Sequence, residues 1–296
     1  MERKRLLTFL AILIIGGLPS CMLPDEAPVA THEAPVATYT VTYNGNSNTR
    51  GSVPIDTTKY TEGTSVSVLD NSGSLMLIPA AGSAEAFKFG GWNTEADGSG
   101  TDYGTSSTFN MASADITLYA KWISFSLRDT GPAGGYVFYD KGSFTNGWRY
   151  LEAAAADQSG IFTQWSNITD KLVEENPLSQ AVGAGKTNTD AIVAQSVNTI
   201  AQICLDYSID NNGTTYADWF LPSLDELNLM YTNLWVQSVG DFAADYYWSS
   251  SDDNDNADNE GINNIYEAWR ELFTNGHQDS LDKNGKYTYV RAARLF

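Results

Sequence analysis

The densest run of chemistry-bearing side chains is Asp252-Asp-Asn-Asp-Asn-Ala-Asp-Asn-Glu-Gly261. Calcium takes roughly six to eight oxygens from carboxylates, amides and carbonyls, and Asp252, Asp253, Asp255, Asp258 and Glu260 offer five carboxylates for it. The run departs from the EF-hand pattern: aligning Asp252, Asn254 and Asn256 puts Ala257 where glycine is needed and Asn263 where a bidentate glutamate is needed. Two readings follow, a calcium site and a solvated loop whose asparagines tolerate turns. Trp248, Tyr266 and Trp269 flank the run. A ring that stacks on a pyranose while Asp and Asn hold its hydroxyls is the usual material of a sugar site, which makes these three the candidate ligand-binding residues. The competing reading is core, because tryptophan is highly buried on average.

Catalytic groups are sparse. The chain has two histidines: His32, and His277 within Asn275-Gly276-His277, which reads as a turn. A Ser-His-Asp triad would have to use His277, and no Gly-x-Ser-x-Gly elbow supports one. One histidine and one cysteine cannot complete a tetrahedral structural zinc site. Cys204 lies in Asp190–Tyr207, where Ile192, Val193, Val197, Ile200, Ile203 and Cys204 recur at helical spacing. This predicts one helix carrying a buried, inert thiol. Asp129-Thr-Gly-Pro-Ala-Gly-Gly135 is glycine-rich, but no Lys-Ser/Thr and no helix follow it, so it reads as a turn and not a phosphate loop. A pair of carboxylates for glycoside hydrolysis stays open, since their separation in space is not written in the sequence.

The elements that must position these groups follow an N-terminal address. Arg3, Lys4 and Arg5 precede the apolar run Leu6–Leu18, interrupted only by Thr8, Gly16 and Gly17. Such a run is too short to span a bilayer but suits a secretory signal. It ends in Leu18-Pro19-Ser20-Cys21, which resembles the bacterial lipobox; the resemblance implies a signal peptide over residues 1–20, cleavage before Cys21, and acylation of that cysteine as a membrane anchor. The chain is then expected to be exported, lipid-anchored to a bacterial envelope and surface-exposed. With Cys21 used by lipid, Cys204 has no disulfide partner. Residues 21–38 contain Glu26-Ala-Pro-Val-Ala-Thr31 and again Glu33-Ala-Pro-Val-Ala-Thr38, an extended tether reaching roughly 50 Å from the membrane.

Two domains are expected beyond it. Residues 39–123 read as all-β, with strands at Tyr39–Asn44, Ser65–Leu69, Phe87–Trp92 and Ile116–Trp122 and a turn at Asp97-Gly-Ser-Gly100. The ordered string Tyr39-Thr-Val-Thr-Tyr43, Phe89-Gly-Gly-Trp92-Asn-Thr, Asp97-Gly-Ser-Gly100 and Ile116-Thr-Leu-Tyr-Ala-Lys-Trp122 resembles one Listeria–Bacteroides repeat, as in internalin B-repeats. That resemblance implies a small β-grasp-like fold serving as a surface spacer or adhesion module.

Residues 124–296 change texture. Strands are expected at Tyr136–Tyr139, Trp148–Glu152, Tyr246–Ser251 and Tyr287–Phe296. Ser223 with Glu226 three residues on forms a capping box ahead of the apolar face Leu224, Leu227, Met230, Tyr231 and Leu234, a sufficient structural role for Glu226. Arg291 and Arg294, in an acidic domain, are expected to pair with carboxylates. Asp129-Thr-Gly-Pro-Ala-Gly-Gly135, Trp219-Phe-Leu-Pro-Ser-x-x-Glu-Leu227, Tyr247-Trp-Ser-Ser-Ser251 and Val290-Arg-Ala-Ala-Arg294 occur in the order found in the Lcl C-terminal domain. This resemblance implies an α+β, C-type-lectin-like domain used for surface attachment, with glycan binding among its proposed roles.

The chain carries 36 acidic and 17 basic residues, a formal charge of −19. That excludes nucleic acid as a partner, because such binding draws on counterion release by Lys and Arg. From Thr187 to Trp269 there are 14 carboxylates and no Lys or Arg. Sulfated polyanions are therefore poor ligands, and a neutral sugar, a cation or a basic protein is favoured. The combined expectation is an α+β chain, non-enzymatic, presenting a lectin-like domain to a glycan or to a host or neighbour-cell surface protein. The alternatives are an exported carbohydrate-active hydrolase and a purely structural envelope protein.

Overall fold

In residues 35–123 short stretches of alternating polarity build two small sheets around one core. The computed structural model describes residues 35–80, 82–158, 164–167, 178–196, 198–253, 266–286 and 288–296, and Thr38–Phe296 forms one compact unit. The strands of the first part are β1 (Val41–Asn44), β2 (Ser65–Ser67), β3 (Met76–Leu77), β4 (Phe87–Asn93), β5 (Asp102–Tyr103), β6 (Thr108–Asn110) and β7 (Ile116–Ile123). The main sheet runs β1-β7-β4-β3 with β5 on β4, β1 and β7 being parallel, and β2 pairs β6. In β1, Val41 and Tyr43 face the core while Thr42 and Asn44 face solvent, the period of two expected of a half-buried strand. Trp92 is the keystone. It stacks edge-on to Tyr43 at 4.7 Å, and its Nε1–H donates to the Leu69 carbonyl at 3.0 Å. The glycine pair before it has two separate causes: Gly91 sits at φ 124°, and a Cβ on Gly90 would lie 2.7 Å from Ile123. Both mark the bulge where β4 shifts register against β7.

The second part contributes β8 (Tyr136–Thr145), β9 (Trp148–Ala153), helices α1 (Gly185–Gln195) and α2 (Ile200–Asp206), the hairpin β10 (Ile209–Asn211) and β11 (Thr214–Tyr216), helix α3 (Leu224–Asn233), then β12 (Tyr246–Asp252), β13 (Glu267–Leu272), β14 (His277–Asp282) and β15 (Ala293–Leu295). Two three-stranded sheets result, β15-β9-β8 and β12-β13-β14. Cys204 is buried with Ile192, Ile200, Trp219 and Trp248 in one core, and Phe138, Leu227, Met230, Tyr247 and Phe273 form another. The chain is thus mostly β with few helices. Among the described residues no helix is long and apolar enough to cross a membrane.

Two expectations are corrected. The helix predicted over Asp190–Tyr207 is two helices, because Thr199 turns extended and its side chain accepts the Gln202 N–H, capping a new start while Asn198 sits at φ 60°. The terminal strand predicted from Tyr287 is confined among the described residues to Ala293–Leu295, where Arg294 pairs with Glu152 across β9. The predicted cap of α3 is present in full. Ser223 accepts from Glu226 N and the Glu226 carboxylate accepts from Ser223 N.

The two parts meet over a shared core. Ala86, Phe125, Val137 and Tyr150 pack together, with Ile78 and Phe296 against them. Arg149 ties the seam: it ion-pairs Glu85 of the first part and holds Asp140 of the second, its Nε at 2.7 Å and Nη2 at 2.8 Å from the two carboxylate oxygens. Lys88 ion-pairs Asp129 beside it.

Candidate functional site

The residues that the sequence singled out do not converge on one surface. Trp248, on β12, is fully buried within the core that holds Cys204 and cannot stack on a ligand from solvent. Its expected role is corrected to packing: β12 is buried on both faces from Tyr247 to Asp252, so neither face of the strand offers the ring to solvent. Trp269, on β13 opposite Ser280, is half-buried. Tyr266, just before β13, is 47% exposed and is the accessible ring of the three.

Asp252 and Asp253 end β12 and are both buried. The Asp252 carboxylate accepts from Leu178 N at 3.1 Å and faces the buried Lys283 ammonium at 3.8 Å. Asp252 pairs with Ala268 of β13 in the sheet. Burial lowers the Lys283 pKa, and Asp252 offsets part of that. In this structure Asp252 is the ion-pair partner of Lys283. Asp255, Asp258 and Glu260 lie outside the described residues, as do Cys21 and the signal segment. Among the described residues no cluster of three or more His, Cys, Asp or Glu is arranged to hold a metal.

His277 stands exposed where the β13–β14 hairpin turns, while Cys204 is buried, its thiol pKa pushed up by desolvation. The two do not form a nucleophile–base pair. Arg291 and Arg294 both hold carboxylates, as expected: Arg291 Nε lies 2.7 Å from Asp157, and Arg294 bridges Asp218 and Glu152.

The glycine-rich turn at Asp129–Gly135 has a partner that sequence reasoning missed. Gly135 N and Ala133 N donate to Glu152 Oε1 at 2.7 and 3.1 Å, and a Cβ on Gly131 would lie 2.4 Å from the Glu152 carboxyl carbon. The loop is a cradle for an anion, and the anion is the chain's own glutamate. Burial raises the Glu152 pKa, against the pull of Arg294 and the two N–H groups.

A cavity of about 580 Å³ opens where the two parts meet. The first part supplies Arg50, Ile78, Pro79 and Ala86; the second supplies Phe144, Phe220 and Phe296, with Asp218, Arg294 and the β11 threonines Thr214 and Thr215 on the polar side. This size and mixed lining are those of a small-ligand site. No sequence signal marked it, because its walls are contributed by residues scattered from Arg50 to Phe296.

A protein of Evansella cellulosilytica named as a Gly-rich membrane protein is 37% identical over 84 residues, which is 28% of this chain and 9% of the relative. A second protein of that organism, named as a membrane protein, is 35% identical over 90 residues, 30% of this chain and 12% of the relative. The chain therefore spans only about a tenth of the length of these relatives. Among solved structures, a fimbrial protein from Bacteroides ovatus aligns over 88% of this chain and 69% of its own, at 12% identity and a TM-score of 0.39. Residues 39–121 match the family model of the Listeria-Bacteroides repeat domain.

Proposed function

We propose that this chain is a non-enzymatic, lipid-anchored surface protein of a bacterial envelope that presents residues 124–296 to a glycan or to a protein on a neighbouring surface. The observation that carries this reading is the seam between repeat and C-terminal part. The Arg149–Glu85 ion pair and the shared core of Ala86, Phe125, Val137 and Tyr150 make the repeat a rigid stand-off and not a loosely tethered bead. The Lcl-type motifs and the Leu18-Pro19-Ser20-Cys21 signal support it from the sequence. Three titratable side chains also support it, being engaged in holding the fold: Glu226 in a helix cap, Glu152 in the glycine cradle and half-buried Asp157 on Arg291. Tyr266 is the ring best placed to meet a sugar, and the acidic surroundings favour neutral glycans or basic proteins.

The chain from Met22 onward, which retains the whole Thr38–Phe296 unit, is to be screened on a glycan array and on a polysaccharide turnover panel, with and without calcium. Saturable binding without product is the expected result. Turnover abolished by a single Asp or Glu substitution would overturn the reading in favour of a hydrolase.

A further inference from the structure

The junction cavity has a charge inventory that does not close on itself. Arg294 is saturated: its Nε and Nη2 each lie 2.9 Å from an Asp218 oxygen, and Nη1 is 3.1 Å from Glu152. Lys186, at the rim, is 2.9 Å from Asp190. Arg50 differs. Among the described residues it meets no carboxylate; its Nη1 reaches the Thr49 carbonyl at 3.3 Å, and its buried Nε has no acceptor. The other wall-lining groups near it, Ile78, Pro79 and Ala80, are apolar. A guanidinium has five donors in a planar fork, and in a chain with 36 acidic residues an arginine without one is conspicuous.

We propose that this cavity binds a small amphiphile with a single carboxylate and an aliphatic body, of the fatty-acid type, whose carboxylate is held by Arg50. A forked guanidinium matches a carboxylate with two parallel N–H···O bonds, and desolvation by the apolar wall strengthens them. The aliphatic body would lie against Ile78, Phe144, Phe220 and Phe296. A sugar fits less well, because Asp218, the carboxylate among the lining residues, is already held by Arg294, which leaves the Thr214 and Thr215 side chains and Tyr216 to meet its hydroxyls. A phosphate dianion would want more than the one uncommitted cation. The inference goes beyond the presentation of residues 124–296 and stands without it: glycan binding and uptake of a fatty carboxylate are separate measurements.

The test is equilibrium dialysis of the chain from Met22 onward against radiolabelled dodecanoate, kept below its micelle-forming concentration, with dodecanol as the uncharged comparison. Saturable one-to-one binding is expected, at least tenfold tighter for dodecanoate than for dodecanol. Arg50→Gln, on a half-exposed side chain that leaves the fold intact, should weaken dodecanoate at least tenfold and leave dodecanol unchanged. Arg128→Gln makes the same change in net charge away from the cavity and should change neither. Absence of saturable dodecanoate binding, equal affinity for acid and alcohol, or equal losses in the two arginine variants would overturn the proposal.

Discussion

Arg294 Nη1 lies 3.1 Å from Glu152 Oε2, joining residues 142 positions apart in the interior of the β15-β9-β8 sheet. The glutamate's other oxygen is held by the backbone of the glycine cradle, and the arginine's remaining fork by Asp218. The pair ties the C-terminal strand to the loop that opens the domain.

Removing one partner of such a buried pair should cost far more than removing both. Arg294→Met leaves Glu152 buried without a counter-ion and should lower stability by about 3–5 kcal/mol in urea unfolding. The loss should be larger at pH 8 than at pH 5, where the carboxyl can take a proton. The double variant Glu152→Gln, Arg294→Met should recover most of it, because the glutamine oxygen still accepts from Gly135 and Ala133. A double variant as unstable as the single one would mean that the guanidinium contributes through packing on Tyr216 and Trp219 and not through charge.

The seam between repeat and C-terminal part predicts one cooperative melting transition for the wild-type chain in calorimetry. Phe125 packs edge-on against both Tyr150 and Phe296, so Phe125→Ala removes the centre of the shared core, at about 3–5 kcal/mol. The expected outcome is a split into two transitions, the repeat melting separately. Two transitions in the wild type would show that the parts are only loosely joined.

What the sequence made legible was local. Ser223 and Glu226 are three residues apart, and their capping box could be read directly; so could the inward Cys204 and the alternation of Val41 and Tyr43. The break between α1 and α2 carried the same kind of signal, Thr199 with Gln202 three residues on, but an apolar period running through Val197 and Ile200 masked it. Distant pairings were not legible. Glu152 looked like the end of a strand because its cradle lies upstream and its arginine near the C-terminus. Trp248 looked like a sugar platform because acids follow it in the chain, whereas both faces of β12 are buried and its ring packs in the core with Cys204. The junction cavity needed both halves in place before Arg50 had a site to line.

Calcium should leave the protein's stability unchanged. Lys283 sits 3.8 Å from Asp252 in a fully buried position, and a divalent cation brought to that carboxylate would face an ammonium. The melting temperature is expected to be the same in millimolar calcium and in EDTA. A site filled to 100 times its dissociation constant would add about 2.7 kcal/mol, readily seen as a rise in melting temperature. Such a rise would place an ion on Asp253 and the acids that follow it.

Glu271 makes the sharpest pH prediction. It is fully buried on β13; Gln278 donates to its Oε2 at 3.2 Å, and Oε1 has no hydrogen-bond partner. Desolvation pushes its pKa up to about 7, with the Gln278 amide pulling weakly the other way. An unfolded chain would titrate the same group near about 4.3. A carboxyl whose folded pKa is raised binds its proton more tightly when folded, so its contribution is fully present below the unfolded value. It is lost as pH rises through the folded one. Wild-type stability should therefore fall between about pH 4.3 and 7 relative to Glu271→Gln, which cannot ionise and keeps an oxygen for Gln278. The two proteins should match near pH 4 and diverge to roughly 4 kcal/mol at pH 8, the variant being the more stable. Urea unfolding across that range decides it: a constant gap at every pH would mean that folding does not raise the Glu271 pKa, and a variant less stable at pH 8 would mean that its carboxylate is held by a partner.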